Sequence, residues 1–129
     1  MYEHYSFLVV EDIAVDQYIA RHVLSESLHA ADISIVNNGS EGLDWINTHW
    51  PRNGKKLILL LDIQMPVMNG FAFLEAYDKL PGTSKTDTTI FVLSSTLNRD
   101  DIKRVENNQY VTKFLNKPLD EDVLKKLIE

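Results

Sequence analysis

The sequence predicts an α/β fold built on a parallel sheet, and three observations support this prediction. Five short apolar runs alternate with longer segments of helical period, which is the pattern of parallel strands joined by helices. The run at 57–61 is apolar at every position, as expected of a central strand buried on both faces. The chain has 129 residues, 44% of them hydrophobic, so we expect a single domain, spanning 1–129, with a substantial core.

The predicted strands and helices alternate along the whole chain. Strands are expected at 7–10, 33–36, 57–61, 90–93 and 111–115, with the third in the middle of the sheet. Helices are indicated by apolar residues three or four positions apart, which share one face of a helix. These residues are Val15, Ile19 and Val23 in the first helix, Leu43, Ile46 and Trp50 in the second, and Val123 and Leu127 in the last, at about 120–129.

Two helix starts carry recognisable capping residues. Asn38 is followed three residues later by Glu41, the spacing of a capping box. Asn98 precedes an arginine and two aspartates, and acidic side chains are favourable at the positive end of a helix. The segments 51–56 and 81–85 combine proline and glycine with polar residues, so we expect them to be surface loops.

The composition argues against several classes of function. The formal net charge of −6, from 13 basic and 19 acidic residues, is unfavourable for binding nucleic acid or an anionic membrane. Without cysteine, the chain can form neither a disulfide nor a thiolate metal site. No apolar run approaches the roughly 20 residues that span a bilayer, and no signal-peptide pattern is present. We therefore expect a cytoplasmic protein with no nucleic-acid partner and no membrane insertion.

Polar residues follow four of the predicted strands. Ligands of an open parallel sheet bind beyond the carboxyl ends of its strands, so these residues are candidates for a functional site. They are Glu11 and Asp12 after the first strand, Asp62 after the third, Ser94 and Ser95 after the fourth, and Lys117 after the fifth. Taken singly, each is also typical of a helix cap, a turn or a strand end. Together they predict carboxylates, a hydroxyl and an ammonium at one edge.

Three carboxylates at one edge repel one another unless they take up protons or share a cation. Oxygen ligands without cysteine or neighbouring histidine favour a hard ion such as Mg²⁺, which binds carboxylates, water and phosphate oxygens. The Asp62 carboxylate could then attack phosphorus while the Lys117 ammonium neutralises the transferring oxygens. The Ser94 hydroxyl could donate a hydrogen bond to the new phosphoryl group. These residues predict a magnesium-dependent phosphoacceptor site.

Four segments resemble the receiver domain of bacterial response regulators, in its chemotaxis-type single-domain form. Residues 8–12 are similar to the family's first strand and acidic pair, and 61–70 to its phosphoacceptor strand and loop, a highly specific signature. Residues 92–95 match a switch hydroxyl, and 114–118 match an aromatic switch residue and a phosphate-binding lysine. The resemblance covers the whole chain. It implies the doubly wound, flavodoxin-like receiver fold, whose five-stranded parallel sheet has the order 2-1-3-4-5 and helices on both faces.

The resemblance also implies a role for each matched residue. Asp62 would be the phosphoacceptor, with Lys117 and Ser94 as its catalytic partners. Ser94 and Phe114 would form a switch that remodels the surface of helix four, strand five and helix five. The metal ligands would be Asp12, Asp62, Glu11 and the backbone carbonyl of Gln64. The side chains of Gln64 and Thr96 would tune dephosphorylation. Structural roles would belong to Pro66, Gly70 and Pro118, and the peptide bond before Pro118 would be cis.

The partners that the resemblance implies are proteins. The phosphodonor would be a histidine kinase or a histidine phosphotransfer protein, and a downstream protein would bind the remodelled surface, on or beside which Ile102, Val105 and Tyr110 lie. No separate substrate would be turned over, so we do not expect an enzyme.

Two alternatives remain open. A receiver-like scaffold could bind a partner without being phosphorylated, although no pocket residue is lost here. An aspartyl-phosphate phosphatase of the haloacid dehalogenase type would need a second aspartate two residues after the nucleophile, where this chain has Gln64. A flavodoxin-like nucleotide binder is disfavoured, because the first loop, 11–14, presents two negative charges and no glycine.

Overall fold

The computed structural model describes residues 2–65, 68–96 and 98–129, and strands alternate with helices along them. The strands are β1 Tyr5–Val10, β2 Ile33–Val36, β3 Lys56–Asp62, β4 Thr88–Ser94 and β5 Val111–Asn116. The helices are α1 Ala14–His22, α2 Gly39–His49, α3 Gly70–Asp78, α4 Arg99–Glu106 and α5 Glu121–Ile128. A π-helical turn, Val23–Ser27, continues α1, and a short 3₁₀ turn, Gly82–Lys85, precedes β4.

The five strands form one parallel sheet in the order β2-β1-β3-β4-β5, which confirms the predicted topology. The register brings the ends of neighbouring strands level with one another. Val10 pairs with Leu61, Asp62 with Leu93, and Ser94 with Asn116. The carboxyl ends of β1, β3, β4 and β5 therefore meet along one edge of the sheet.

The central strand β3 is buried on both faces, as its uniformly apolar sequence predicts. Leu57, Leu59 and Leu61 join a core cluster with side chains of α2, α3 and α4. Ile58 and Leu60 point the other way, into a second cluster with side chains of α1 and α5. Because successive side chains of a strand face opposite sides, one continuous apolar run supplies both cores.

Four of the five strands extend beyond the predicted apolar runs, while β2 has the predicted bounds. β1 starts two residues earlier, and β3, β4 and β5 continue onto the polar residues Asp62, Ser94 and Asn116. The strand boundary follows the backbone ladder, which needs a paired neighbour and does not depend on an apolar side chain. Asp62 and Ser94 consequently belong to hydrogen-bonded strands.

The apolar stripe predicted for the first helix reaches the core only in part. Val23 is buried and Ile19 packs against the core, but Val15 is 61% exposed. Each four-residue step turns about 40° further around an α-helix, so residues eight apart no longer share one narrow face. Val123, in the first turn of α5, is likewise 44% exposed.

The predicted helix caps are present. The Asn38 side chain accepts a hydrogen bond from the Glu41 amide, while the Glu41 carboxylate accepts one from the Asn37 amide. The Asn98 side chain accepts from two amides of the first turn of α4. Asn69 caps α3 in the same manner. Within the described part of the chain, no helix has the length and apolar character needed to cross a membrane.

Replacing Leu59 tests the central position of β3. Leu59 is fully buried, so Leu59→Ala should lower the free energy of unfolding by about 2–5 kcal/mol, through lost apolar contacts and the cavity left behind. Urea denaturation would measure this change. The exposed Val15 offers a control, because Val15→Ala should change stability by no more than about 0.5 kcal/mol. Similar losses in the two variants would contradict the assignment of the core.

Candidate functional site

Four of the predicted site residues lie at the carboxyl edge of the sheet because their strands are parallel neighbours. Asp62 and Ser94 end β3 and β4, while Glu11 and Lys117 directly follow β1 and β5. Glu11, Asp62 and Ser94 are buried, and only 14% of the Lys117 side chain is exposed. The structure thus gathers an acid from each of two strands, a hydroxyl and an ammonium.

The alternation of side chains along the strands divides these residues between the two faces of the sheet. Leu60 and Leu115 belong to the core under α1 and α5, and Asp62 and Lys117 follow each of them by two residues. Ser94 follows Val92, which belongs to the opposite core, by two residues. Residues two positions apart on a strand face the same side of the sheet. Asp62 and Lys117 therefore belong to the side covered by α1, and Ser94 belongs to the opposite side.

The Lys117 ammonium links three carboxylates. Its Nζ donates hydrogen bonds to Glu11 Oε1 at 2.5 Å and to Asp16 Oδ2 at 2.9 Å. Asp62 Oδ2 lies 3.4 Å from the same Nζ, within ion-pair distance but without a hydrogen bond. One positive charge is therefore shared among three negative ones.

Asp16 is a site residue that the sequence analysis missed. It lies in the first turn of α1, where an acid is ordinarily explained by the helix dipole. Its contact with Lys117 joins residues 101 positions apart, and no local pattern reports such a contact. One feature of the sequence could have identified Asp16: it is a third acid, five residues after Glu11, on a helix that packs against the same face of the sheet.

Glu11, Asp12 and Asp62 form a compact acidic cluster, in which one carboxylate oxygen of each lies within 4.8 Å of the others. Asp12 Oδ1 and Asp62 Oδ2 are buried and have no hydrogen-bond partner among the described residues. Buried polar atoms are rarely left unbonded, so two such oxygens in one cluster indicate a site that a cation completes. An all-oxygen donor set of this kind fits Mg²⁺. The three acids are those predicted from the sequence.

Burial and crowding change the acidity of this cluster. Burial raises the pKa of Glu11 from 4.5 to about 7; the hydrogen bond from Lys117 opposes this rise, and the neighbouring Asp62 adds to it. Burial alone would lower the pKa of Lys117, but its bonds to Glu11 and Asp16 and the charge of Asp62 raise it above the ordinary value. Without a metal ion the cluster therefore takes up a proton near neutral pH, while the lysine stays charged.

Two backbone amides hold the side chains that end β3 and β4. The Gln64 amide donates to Asp62 Oδ1 at 3.1 Å, and the Thr96 amide donates to Ser94 Oγ at 3.1 Å. The first bond occupies one oxygen of the Asp62 carboxylate and leaves the other without a hydrogen bond. The side chain of Gln64 is exposed and that of Thr96 partly exposed, so solvent reaches both.

Gly70 permits a close approach behind the phosphoacceptor candidate. A Cβ at this position would lie 2.6 Å from the Ile63 Cα and 3.1 Å from the Asp62 carbonyl oxygen, so a larger residue would displace the end of β3. The peptide bond before Pro118 is cis, and so is the bond between Trp50 and Pro51. The predicted structural role of Pro66 lies outside the described residues.

Phe114 lies on the face of the sheet to which Ser94 belongs. It pairs with Val92 across the ladder, and Ser94 is two residues further along β4. Phe114 is partly buried against the core cluster that contains Val105 of α4. Ile102 is also partly exposed on α4. The two residues of the predicted switch therefore occupy neighbouring strands, and the surface of α4 and β5 lies beside them.

Comparison with known proteins shows that this fold is that of a receiver domain. The family model described as "response regulator receiver domain" matches residues 7–129. The chain belongs to this family of two-component signalling proteins. Phosphorylation on an aspartate and binding of Mg²⁺ are typical of the family.

Individual relatives match most of the chain. Protein PilH of Pseudomonas aeruginosa is 27% identical over 121 residues, which cover 94% of this chain and 92% of that protein. The crystal structure of a response regulator receiver protein from Dyadobacter fermentans superposes with a TM-score of 0.87 at 28% identity, covering 96% and 94% of the two chains. A protein-glutamate methylesterase/protein-glutamine glutaminase of Desulfotalea psychrophila is 36% identical over 93 residues, 72% of this chain but 23% of that protein.

The raised pKa of Glu11 predicts how stability depends on pH in the absence of divalent ions. A carboxyl whose pKa is higher in the folded state stabilises the fold fully below pH 4.5, and this stabilisation is lost as the pH rises to about 7. The rise corresponds to at most about 3 kcal/mol. Urea denaturation in EDTA should show the wild type losing stability relative to Glu11→Gln between pH 4.5 and 8. A difference that stays constant over this range would contradict the raised pKa.

Proposed function

We propose that the chain is the phosphoacceptor of a two-component or phosphorelay pathway and that Asp62 accepts the phosphoryl group. The observation that carries the proposal is the state of the Asp62 carboxylate. It is buried at the edge of the sheet, its Oδ2 accepts no hydrogen bond from the residues that the structure describes, and the Lys117 ammonium lies 3.4 Å from that oxygen. A nucleophile needs a free lone pair, and a neighbouring cation neutralises the oxygens of the arriving group.

The donor is a phosphohistidine of a histidine kinase or of a histidine phosphotransfer protein. An oxygen of the Asp62 carboxylate forms the new bond to phosphorus as the phosphorus–nitrogen bond of the donor breaks. The electron pair of the broken bond stays on the imidazole nitrogen, which takes up a proton. Water later attacks phosphorus, the bond between phosphorus and the Asp62 oxygen breaks, and inorganic phosphate leaves as the carboxylate is restored. The solvent-accessible side chains of Gln64 and Thr96 tune that hydrolysis.

Two further side chains stabilise the transferred group. Lys117 donates to its oxygens, either with the ammonium hydrogen that Glu11 and Asp16 leave free or with one released from those acids. Ser94 donates its hydroxyl hydrogen, since the Thr96 amide occupies only an acceptor position of Oγ. Ser94 ends β4, the strand that pairs with β3, and Lys117 Nζ lies 3.4 Å from Asp62 Oδ2.

The acids of the cluster would hold Mg²⁺. Glu11, Asp12 and Asp62 would supply carboxylate oxygens, Glu11 either directly or through water. The backbone carbonyl of Gln64 would be the remaining protein ligand. The fit rests on the unbonded Asp12 Oδ1 and Asp62 Oδ2. When bound, the ion neutralises charge on the phosphoryl oxygens and relieves the repulsion among the acids.

Phosphorylation changes the surface formed by α4, β5 and α5. The new group adds roughly −1.5 to −2 charges at the sheet edge, and the Ser94 hydroxyl turns toward it. Phe114, on the same face as Ser94, rotates into the space that the hydroxyl leaves. Phe114 has no hydroxyl of its own, so packing alone drives this rotation. A downstream protein then binds the altered surface near Ile102, Val105 and Tyr110.

In this role residues 1–129 act as one cytoplasmic receiver unit without separate substrate turnover, nucleic-acid partner or membrane insertion. Gln64 in place of a second aspartate argues against an aspartyl-phosphate phosphatase. A scaffold that is never phosphorylated would not need an unbonded, buried carboxylate oxygen beside an ammonium.

Small-molecule phosphorylation tests the proposal directly. In acetyl phosphate and Mg²⁺, intact-mass analysis should show the wild type gaining one phosphate, which mild base removes, as expected of an acyl phosphate. Asp62→Asn should gain none, because an amide oxygen is a poor nucleophile, and chelation by EDTA should prevent labelling of the wild type.

Asp44 provides the matched control, since it is an exposed acid of α2 and Asp44→Asn makes the same change in charge. Asp44→Asn should be labelled like the wild type. An unlabelled wild type, under conditions that label another receiver, would contradict the phosphoacceptor assignment and favour a scaffold that is not phosphorylated.

A further inference from the structure

We infer that Asp16 is a positioning residue that restrains the Lys117 ammonium and thereby slows phosphoryl transfer to Asp62. The inference rests on the proposed phosphoacceptor function and deepens it by naming a residue that regulates the rate. It is carried by the hydrogen bond of 2.9 Å from Lys117 Nζ to Asp16 Oδ2, which joins the sheet edge to α1.

The donors of Lys117 are largely committed before any phosphoryl group arrives. An ammonium has three hydrogens, and Lys117 already gives hydrogen bonds to Glu11 and Asp16. Asp62 Oδ2, at 3.4 Å, receives only the electrostatic attraction of the same group. A phosphoryl oxygen on Asp62 must therefore compete for the remaining hydrogen or displace one of the two bonded acids.

Of the two acids that accept hydrogen bonds from Lys117, Asp16 competes more persistently with a phosphoryl oxygen. Glu11 belongs to the cluster of acids whose oxygens lie within 4.8 Å of one another, so a shared cation takes up part of its charge. Asp16 does not belong to that cluster, and among the described residues Lys117 is the cation within ion-pair distance of it. Its side chain is 23% exposed, so solvent weakens the pair only in part.

Hydrogen bonds of the neighbouring residue, Gln17, restrain the position of Asp16. The neighbouring Gln17 donates from Nε2 to the Glu11 carbonyl oxygen at 2.6 Å and to Asn37 Oδ1 at 2.9 Å. These bonds join the first turn of α1 to the ends of β1 and β2. Asp16 therefore cannot follow the lysine toward Asp62 without disturbing this junction, and the bond holds Lys117 toward α1.

Removal of the Asp16 charge should accelerate phosphoryl transfer for two physical reasons. It frees a hydrogen of Lys117 for the phosphoryl oxygens, and it removes a negative charge that repels an anionic donor. A partly exposed, charge-assisted hydrogen bond is worth little more than 1 kcal/mol, which corresponds to a rate change of about threefold to tenfold.

The test compares initial rates of Asp62 labelling by acetyl phosphate in saturating Mg²⁺. Asp16→Asn, close to the native side chain in shape, should be labelled about threefold to tenfold faster than the wild type. Asp16→Glu, which keeps the charge, should stay within about twofold of the wild-type rate. Asp44→Asn, with the same change in net charge on α2, should also match the wild type. A rate for Asp16→Asn equal to that of Asp44→Asn, or a slower one, would overturn the inference.

A second measurement separates restraint of the lysine from a general structural effect and needs neither Mg²⁺ nor phosphorylation. The ¹H–¹⁵N correlation of the Lys117 ammonium should be visible in the metal-free wild type, because hydrogen bonds to Glu11 and Asp16 slow exchange of its protons with water. Asp16→Asn should shift or broaden this signal, and Asp44→Asn should leave it unchanged. An unaltered signal in Asp16→Asn would refute the restraint.

The two proposals fail in distinguishable ways. If no variant is labelled on Asp62 while the ammonium signal responds to Asp16→Asn, the phosphoacceptor function fails and only the contact survives. If the wild type is labelled but Asp16→Asn changes neither rate nor signal, the phosphoacceptor function stands and the role of Asp16 is rejected.

Discussion

One ammonium among crowded carboxylates is the constraint on which the chemistry of this protein depends. Lys117 faces Glu11, Asp16 and Asp62, and the charges at this edge are balanced only in part. Burial, with the neighbouring charge of Asp62, raises the pKa of Glu11, and two buried carboxylate oxygens of the edge accept no hydrogen bond from the described residues. Such an arrangement is unfavourable by itself. It is also what makes the edge receptive to a divalent cation and to a group that the lysine can neutralise.

The parallel sheet is what holds this unfavourable arrangement in place. β3 is paired on both sides and buried on both faces, so Asp62 is attached to the least deformable part of the fold. The ladder continues onto Asp62 and Ser94, and backbone amides fix one acceptor atom of each. The apolar cores on the two faces thus provide the stability that the charged edge lacks. Local repulsion can persist there because the surrounding strands cannot relax to relieve it.

The charged residues of the site and the two predicted switch residues belong to opposite faces of the sheet. The acids and Lys117 belong to the face covered by α1, where Asp16 enters the network. Ser94 and Phe114 belong to the other face, beside α4. Charge at the pocket and packing at the distant surface are therefore connected through the thickness of one sheet, by residues at the ends of adjacent strands. This separation lets a single added group at the edge affect both sides.

The sequence by itself determined the order of strands and helices along the chain, the caps at Asn38 and Asn98, and the polar residues that lie at the carboxyl edge of the sheet. These features depend on local periodicity, on the residue types at strand ends, and on motifs similar to those of a known family. Asp62 was identifiable because it closes an apolar strand and opens a distinctive loop. The burial of β3 on both faces likewise followed from five consecutive apolar residues.

Only the tertiary structure decided the features that depend on which segments become neighbours. Val15 is exposed because four-residue spacing drifts around the helix, and the spacing does not specify which residues of the stripe reach the core. β3, β4 and β5 continue beyond their apolar segments because backbone pairing, rather than hydrophobicity, sets the ends of strands. Asp16 became part of the site because β5 brings Lys117 back to the start of α1. A contact across 101 residues is a property of the folded chain, since it exists only when both segments are packed against the same sheet.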